Sequence, residues 1–74
     1  MQTIQDLSKL MLPAEYMAER QHIFPSPSSL KWFMRRHREK IRAANAVSRP
    51  LGRDLIDEER FDLVVAQVGQ AEAA

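Results

Sequence analysis

Residues 30–42 read LKWFMRRHREKIR: six lysines and arginines (Lys31, Arg35, Arg36, Arg38, Lys40 and Arg42) against one acid, Glu39. The whole 74-residue chain carries a net charge of only +1. Residues 1–30 hold two bases and three acids, residues 31–53 eight bases and one acid, and residues 54–74 one base and six acids. This is a polar molecule with one basic face, which its overall charge conceals. Such a face is either a solvated helix surface paired loosely with the acidic last segment, or a surface that meets an anionic partner.

The same stretch is patterned as a helix. Leu30, Phe33, Met34, His37, Ile41 and Ala44 recur at i, i+3, i+4 and i+7 and share one face. Beside that face Lys31, Arg35, Arg38 and Arg42 form a stripe over about three turns. Trp32, Arg36, Glu39 and Ala43 lie further round. Ser26 is an N-cap and Pro27 a first helical residue, where its missing N–H costs nothing. The pattern predicts a helix from Ser28 to about Ala44, closed by a left-handed Asn45.

Towards the N-terminus, FPSPSS (24–29) reads as a turn, and PAEYMAERQH (13–22) as a helix with Pro13 first and Glu15 in its first turn. Residues 1–12 form an extension in which Thr3 caps a short helix carrying Ile4, Leu7, Leu10 and Met11, either separate from the helix at Pro13 or joined to it through a kink at Leu12-Pro13. Towards the C-terminus the period changes. Val47 and Arg49 enter, and Arg53, Leu55 and Ile56 leave, a Pro50-Leu51-Gly52 tip that fits a type I turn closed by a left-handed glycine. The reading is a two-stranded hairpin with Arg49 and Arg53 flanking its tip. Asp57 then caps a last helix with Glu58 and Glu59 at its positive end. Phe61, Val64, Val65 and Val68 form its buried face, Gly69 ends it, and residues 70–74 are a frayed tail.

Several function classes are disfavoured. Without cysteine there is no disulfide or thiolate cluster, and His22 and His37 lack zinc-ligand spacing, so no metal or cofactor is expected. No nucleophile triad, phosphate loop or metal motif is present, and Asp57, Glu58 and Glu59 stand where capping explains them, so no enzyme is expected. His37 reads as a packed histidine, Trp32 as packing or as a contact with sugar-phosphate or partner, and the internal methionines as gap fillers. The N-terminus lacks the pattern of a signal peptide, and no apolar run suits a membrane span. An interfacial membrane helix would need the apolar face that so small a core requires. A cytoplasmic, nucleoid-associated protein is expected.

Helix, turn, helix and basic hairpin in this order make a mainly α fold with a small β-hairpin, the outline of a winged helix-turn-helix. Ser26, Ser28 and Ser29, at the start of the second helix, can donate to phosphate oxygens. Ser29-Leu30, Ala46-Val47, GRDLID (52–57) and ERF (59–61) resemble small excisionase-type DNA-binding proteins of bacteria, phages and integrative elements, related in fold to the MerR-type winged helix. The likeness covers about residues 24–66; the second helix is long for that pattern, and residues 1–12 extend it, an addition suited to assembly. The resemblance implies a winged helix-turn-helix over residues 13–69 that binds and bends double-stranded DNA, directs a tyrosine integrase and associates cooperatively with copies of itself on DNA. Relatives of this kind also act as transcriptional regulators. Expected DNA contacts are Ser26, Ser28, Ser29, Lys31, Trp32, Arg35, Arg36, Arg38 and Arg42 on the second helix, and Arg49 and Arg53 on the wing. A protein-interaction adaptor that keeps this shape without binding DNA is the alternative from another class.

Overall fold

A computed structural model describes residues 7–73. A 3₁₀ turn (Leu7–Lys9) leads into β1 (Leu10–Met11), α1 (Pro13–Ala18), α2 (Pro27–Arg36), α3 (Arg38–Ala43), β2 (Val47–Ser48), β3 (Leu55–Asp57) and α4 (Glu58–Ala73). The molecule is mainly helical, with a small three-stranded antiparallel sheet in the order β1-β3-β2.

The third strand corrects the reading of the N-terminal extension. Leu10 and Met11 pair with Asp57 and Ile56 instead of continuing a helix. Spacing alone favoured a helix, but β3 would otherwise present an unpaired edge, and β1 covers it. Thr3 and Ile4, the cap and first apolar residue of the expected helix, lie outside the described residues. The hairpin forms with Val47 opposite Ile56 and Ser48 opposite Leu55. Its connection spans residues 49–54, and the Gly52 N–H donates to the Arg49 carbonyl at 3.4 Å. Gly52 has φ +81°, the left-handed conformation that the tip demands.

Local chemistry explains the helix starts. In α1 the Leu12 N–H donates to Glu15 Oε1 at 2.9 Å, with Pro13 as first residue. In α2, Ser26 and Ser29 cap reciprocally, each backbone N–H donating to the other's hydroxyl oxygen at 3.3 Å. The Arg60 N–H donates to Asp57 Oδ1 at 3.1 Å, so Asp57 caps α4. Asn45 takes the left-handed conformation, φ 54°, after α3.

Three helix boundaries differ from expectation. α1 stops at Ala18, four residues early, and turns carry the chain from there to Phe24. The helix expected over 28–44 is interrupted at His37, whose φ of −113° and ψ of 31° lie outside helical values. The His37 ring packs 4.7 Å from Phe33 and edge-on to Trp32 at 6.4 Å. At the other end, α4 runs through Gly69 to Ala73. Phe61, Val64 and Val68 pin it, and Gln70 to Ala73 are good helix formers, so one exposed glycine does not stop it. A Cβ at Gly69 would meet nothing within 4 Å. Gly69→Ala is therefore expected to raise stability by about 0.5–1 kcal/mol, read as a higher urea midpoint at unchanged m-value.

The core joins all four helices and the sheet. Tyr16, Phe24, Leu30, Phe33, Ile41, Ala46, Ile56, Phe61, Val64 and Val68 are buried. Phe61 centres an aromatic cluster, 4.9 Å from Tyr16 edge-on and 5.8 Å from Phe33, with Phe24 5.4 Å from Phe33. These packings fix α2 and α3 on one side of the molecule with their cations outward.

Candidate nucleic-acid interface

The apolar face read from the period anchors the basic segment. Leu30, Phe33 and Ile41 are buried, with Met34 and Ala44 half-buried beside them. Lys31, Arg35, Arg38 and Arg42, all exposed, flank that face. The break at His37 does not scatter them: all four line one concave groove together with Arg49 from the hairpin. Met34, Ile41 and Val47 contribute apolar lining, and Asp54 is the one acid there. Cations converging in a concavity reinforce one another's potential, so the groove attracts anions more strongly than the same charges on a convex surface.

Among the described residues, the acidic last helix makes no ion pair with the cations of this face. Two of its acids, Glu58 and Asp62, turn to Arg20 instead. The Arg20 guanidinium donates to Asp62 through Nε and Nη2, both at 2.7 Å, and to Glu58 Oε2 at 3.0 Å. The Tyr16 hydroxyl donates to Asp62 Oδ1 at 2.6 Å, and the guanidinium lies over the Tyr16 ring at 4.1 Å. Asp57 is committed to the α4 cap. Among the described residues, no ion pair involves Lys31, Arg35, Arg36, Arg38, Lys40 or Arg42.

This cluster sets ionisation on the α1–α4 side. Burial, followed by the bond to Asp62, pushes the Tyr16 hydroxyl well above the usual tyrosine range. The hydrogen bonds from Arg20, and then that from Tyr16, hold the Asp62 carboxyl below the usual carboxylate range. The bond to Asp62 raises Arg20 further, so all three keep their neutral-pH states. A structural clamp thus engages two of the acids, Glu58 and Asp62, that the composition made available to the basic face.

The hairpin arginines have different surroundings. Arg49 is braced: its Nη2 donates to the Gly52 carbonyl at 2.7 Å, and its Nε pairs with Asp54 Oδ1 at 3.1 Å. Arg53 is exposed at the tip and does not line the groove. Trp32 and Arg36 also lie outside it. Trp32 is 59% exposed, so it is not a core residue, and the Arg36 guanidinium sits 5.9 Å over its ring. Ser26 and Ser29 are engaged in capping, and the Ser29 hydroxyl donates to the Ser26 carbonyl at 2.6 Å; Ser28 is exposed at the helix start.

Two features of the site were not read from the sequence. Asp54 faces the groove cations and holds Arg49, a pairing that requires knowing the length of the hairpin connection. Lys40 joins Arg35, Arg36, Arg38 and Glu39 around a depression at the His37 junction. Among the described residues, no group of three or more His, Asp or Glu side chains could hold a metal ion, and no helix is long and apolar enough to cross a membrane. Comparison with protein-family models, curated proteins and solved structures finds no match for the chain.

Proposed function

We propose that the protein binds double-stranded DNA as a winged helix-turn-helix, with α2–α3 entering the major groove and the β2–β3 hairpin acting as the wing. The observation that carries this reading is the basic groove between these two segments, whose helical cations have no acidic partner among the described residues. A helix in the major groove and a hairpin in the next groove straddle one sugar-phosphate strand. Lys31, Arg35, Arg38, Arg42 and Arg49 line the space that strand would fill. Arg35 and Arg38 are assigned to base edges or the phosphates beside them, and Arg53 to the flanking backbone.

In this reading the protein performs no chemistry of its own. The resemblance of residues 24–66 to excisionases supports a role as a recombination directionality factor. It would bind adjacent sites cooperatively, bend the duplex and direct a tyrosine integrase towards excision, within the nucleoid. A transcriptional regulator would use the same face, and a footprint across an integration site and the gene's own promoter separates the two roles.

Four to six phosphate contacts, depending on whether Arg35 and Arg38 meet bases or phosphates, give a slope of log K against log salt of roughly −4 to −5. Fluorescence anisotropy with a labelled duplex, titrated from about 50 to about 200 mM salt, is expected to show it. Affinity that stays flat over this range contradicts the assignment, and absent duplex binding favours a protein-interaction adaptor.

A further inference from the structure

Leu51 is 89% exposed, more than any other large apolar side chain among the described residues. Singly exposed leucines are ordinary on protein surfaces. This one differs in its setting: it sits at the hairpin tip between Pro50 and Gly52, with Arg49 and Arg53 two positions to either side. The tip keeps its shape without the leucine side chain. The Gly52 N–H bonds the Arg49 carbonyl, and the Arg49 guanidinium grips both the Gly52 carbonyl and Asp54. Gly52 takes the left-handed φ, and Pro50 fixes its own. Position 51 does not take the left-handed φ that would demand glycine, and a polar residue there would suit the solvent better.

We propose that Leu51 is an apolar wedge that enters a base step of the minor groove beside the α2–α3 segment, unstacking that step and kinking the duplex. The inference rests on the DNA-binding reading above. A helix seated in the major groove leaves the minor groove as the next one within reach of the hairpin, and apolar side chains such as leucine, isoleucine, methionine and phenylalanine are the groups that part base steps there. Burying one leucine is comparable in scale to unstacking one step, so the wedge alone does not drive the kink. The cations of the groove and Arg53 supply the phosphate contacts that hold the bent duplex. Pyrimidine–purine steps, TA and CA/TG, are the easiest to open and are the expected entry points. The Arg49–Asp54 brace serves this function by keeping the tip from folding back when it meets the bases.

The test uses the full chain and a set of duplexes, each with one TA or CA step flanked by 2-aminopurine and with dyes at both ends. Wild-type protein is expected to raise 2-aminopurine fluorescence about twofold or more and to increase end-to-end energy transfer through bending. Leu51→Ser is expected to lose both signals and about tenfold in affinity at an unchanged salt slope, since leucine carries no charge. Leu51→Met, still apolar, is expected to keep them. Equal signals from wild type and Leu51→Ser, or no rise on any duplex that wild type binds, overturns the wedge while leaving DNA binding intact. Failure of wild type to bind any duplex removes both readings at once.

Discussion

Arg35→Ala combined with Arg38→Ala is expected to lower affinity for the specific duplex by about 2–3 kcal/mol, on the order of 100-fold. Both side chains are exposed, line the groove and have no acidic partner among the described residues, so their loss removes contacts without unpairing anything inside the fold. Stability is expected to stay within about 0.5 kcal/mol of wild type, and to rise slightly if relief of like-charge crowding dominates. The salt slope is expected to become shallower by nearly two, one counterion for each lost phosphate contact. If instead these arginines read base edges, specific binding falls while nonspecific binding and the slope change little. Anisotropy titrations with specific and random duplexes, each at several salt concentrations, distinguish these outcomes. Equal affinity of variant and wild type on both duplexes would contradict a role for the groove.

Asp62→Ala is expected to cost about 2–3 kcal/mol of stability, a large fraction of what a domain of this size possesses. The substitution strips the buried Tyr16 hydroxyl of its acceptor and removes two of the hydrogen bonds on a guanidinium whose side chain is only 14% exposed. Glu58 remains, and Asp62 itself is 45% exposed, which keeps the loss below that of a fully buried pair. The clamp also shapes the pH dependence. The folded state lowers the Asp62 pKa, so its contribution is fully present above the unfolded value of about 4 and disappears as pH falls through the lower folded value. The folded state raises the Tyr16 pKa, so its contribution is present below about pH 10 and is lost as pH rises through the folded value. Urea unfolding across the pH range is expected to show both limbs in wild type. Asp62→Ala should flatten the acid limb and reduce the alkaline one. A variant as stable as wild type at neutral pH would contradict the clamp.

Much of this fold is written in local chemistry. Ser26-Pro27 marks the start of α2, Asp57 the start of α4, and Asn45 and Gly52 the positions that take positive φ. The i, i+3, i+4 spacing of Leu30, Phe33 and Ile41, and of Phe61, Val64 and Val68, correctly gives two buried faces. What escaped depends on distant partners or on weak signals. Leu10 and Met11 sit at helical spacing, yet their partners are Ile56 and Asp57, far along the chain. The Tyr16–Asp62 bond joins residues 46 apart, and nothing around either residue points to the other. The break at His37 has neither proline nor glycine to announce it, and Gly69, which has that signal, sits inside a helix held by its buried face.

The candidate site was legible to a similar depth. Lys31, Arg35, Arg38 and Arg42 stand in one groove as their spacing required, because α2 and α3 are anchored by the same apolar face. Whether the acidic segment would neutralise them was beyond the sequence. Two of its acids, Glu58 and Asp62, are turned to Arg20 just beyond α1, which only tertiary packing decides. Arg49 and Arg53, equivalent as letters on either side of a turn, differ because a six-residue connection lets Asp54 capture the first.

The central claim is that the α2–α3 and hairpin face meets DNA while the α4 face does not. Titration of isotopically labelled protein with a duplex, followed by backbone amide chemical shifts, tests it most directly. Shifts concentrated in residues 26–42 and 49–55, with residues 63–73 unmoved, are the predicted result. Shifts centred on α4 or spread evenly over the surface, or no shifts at all with duplex in excess, would contradict it.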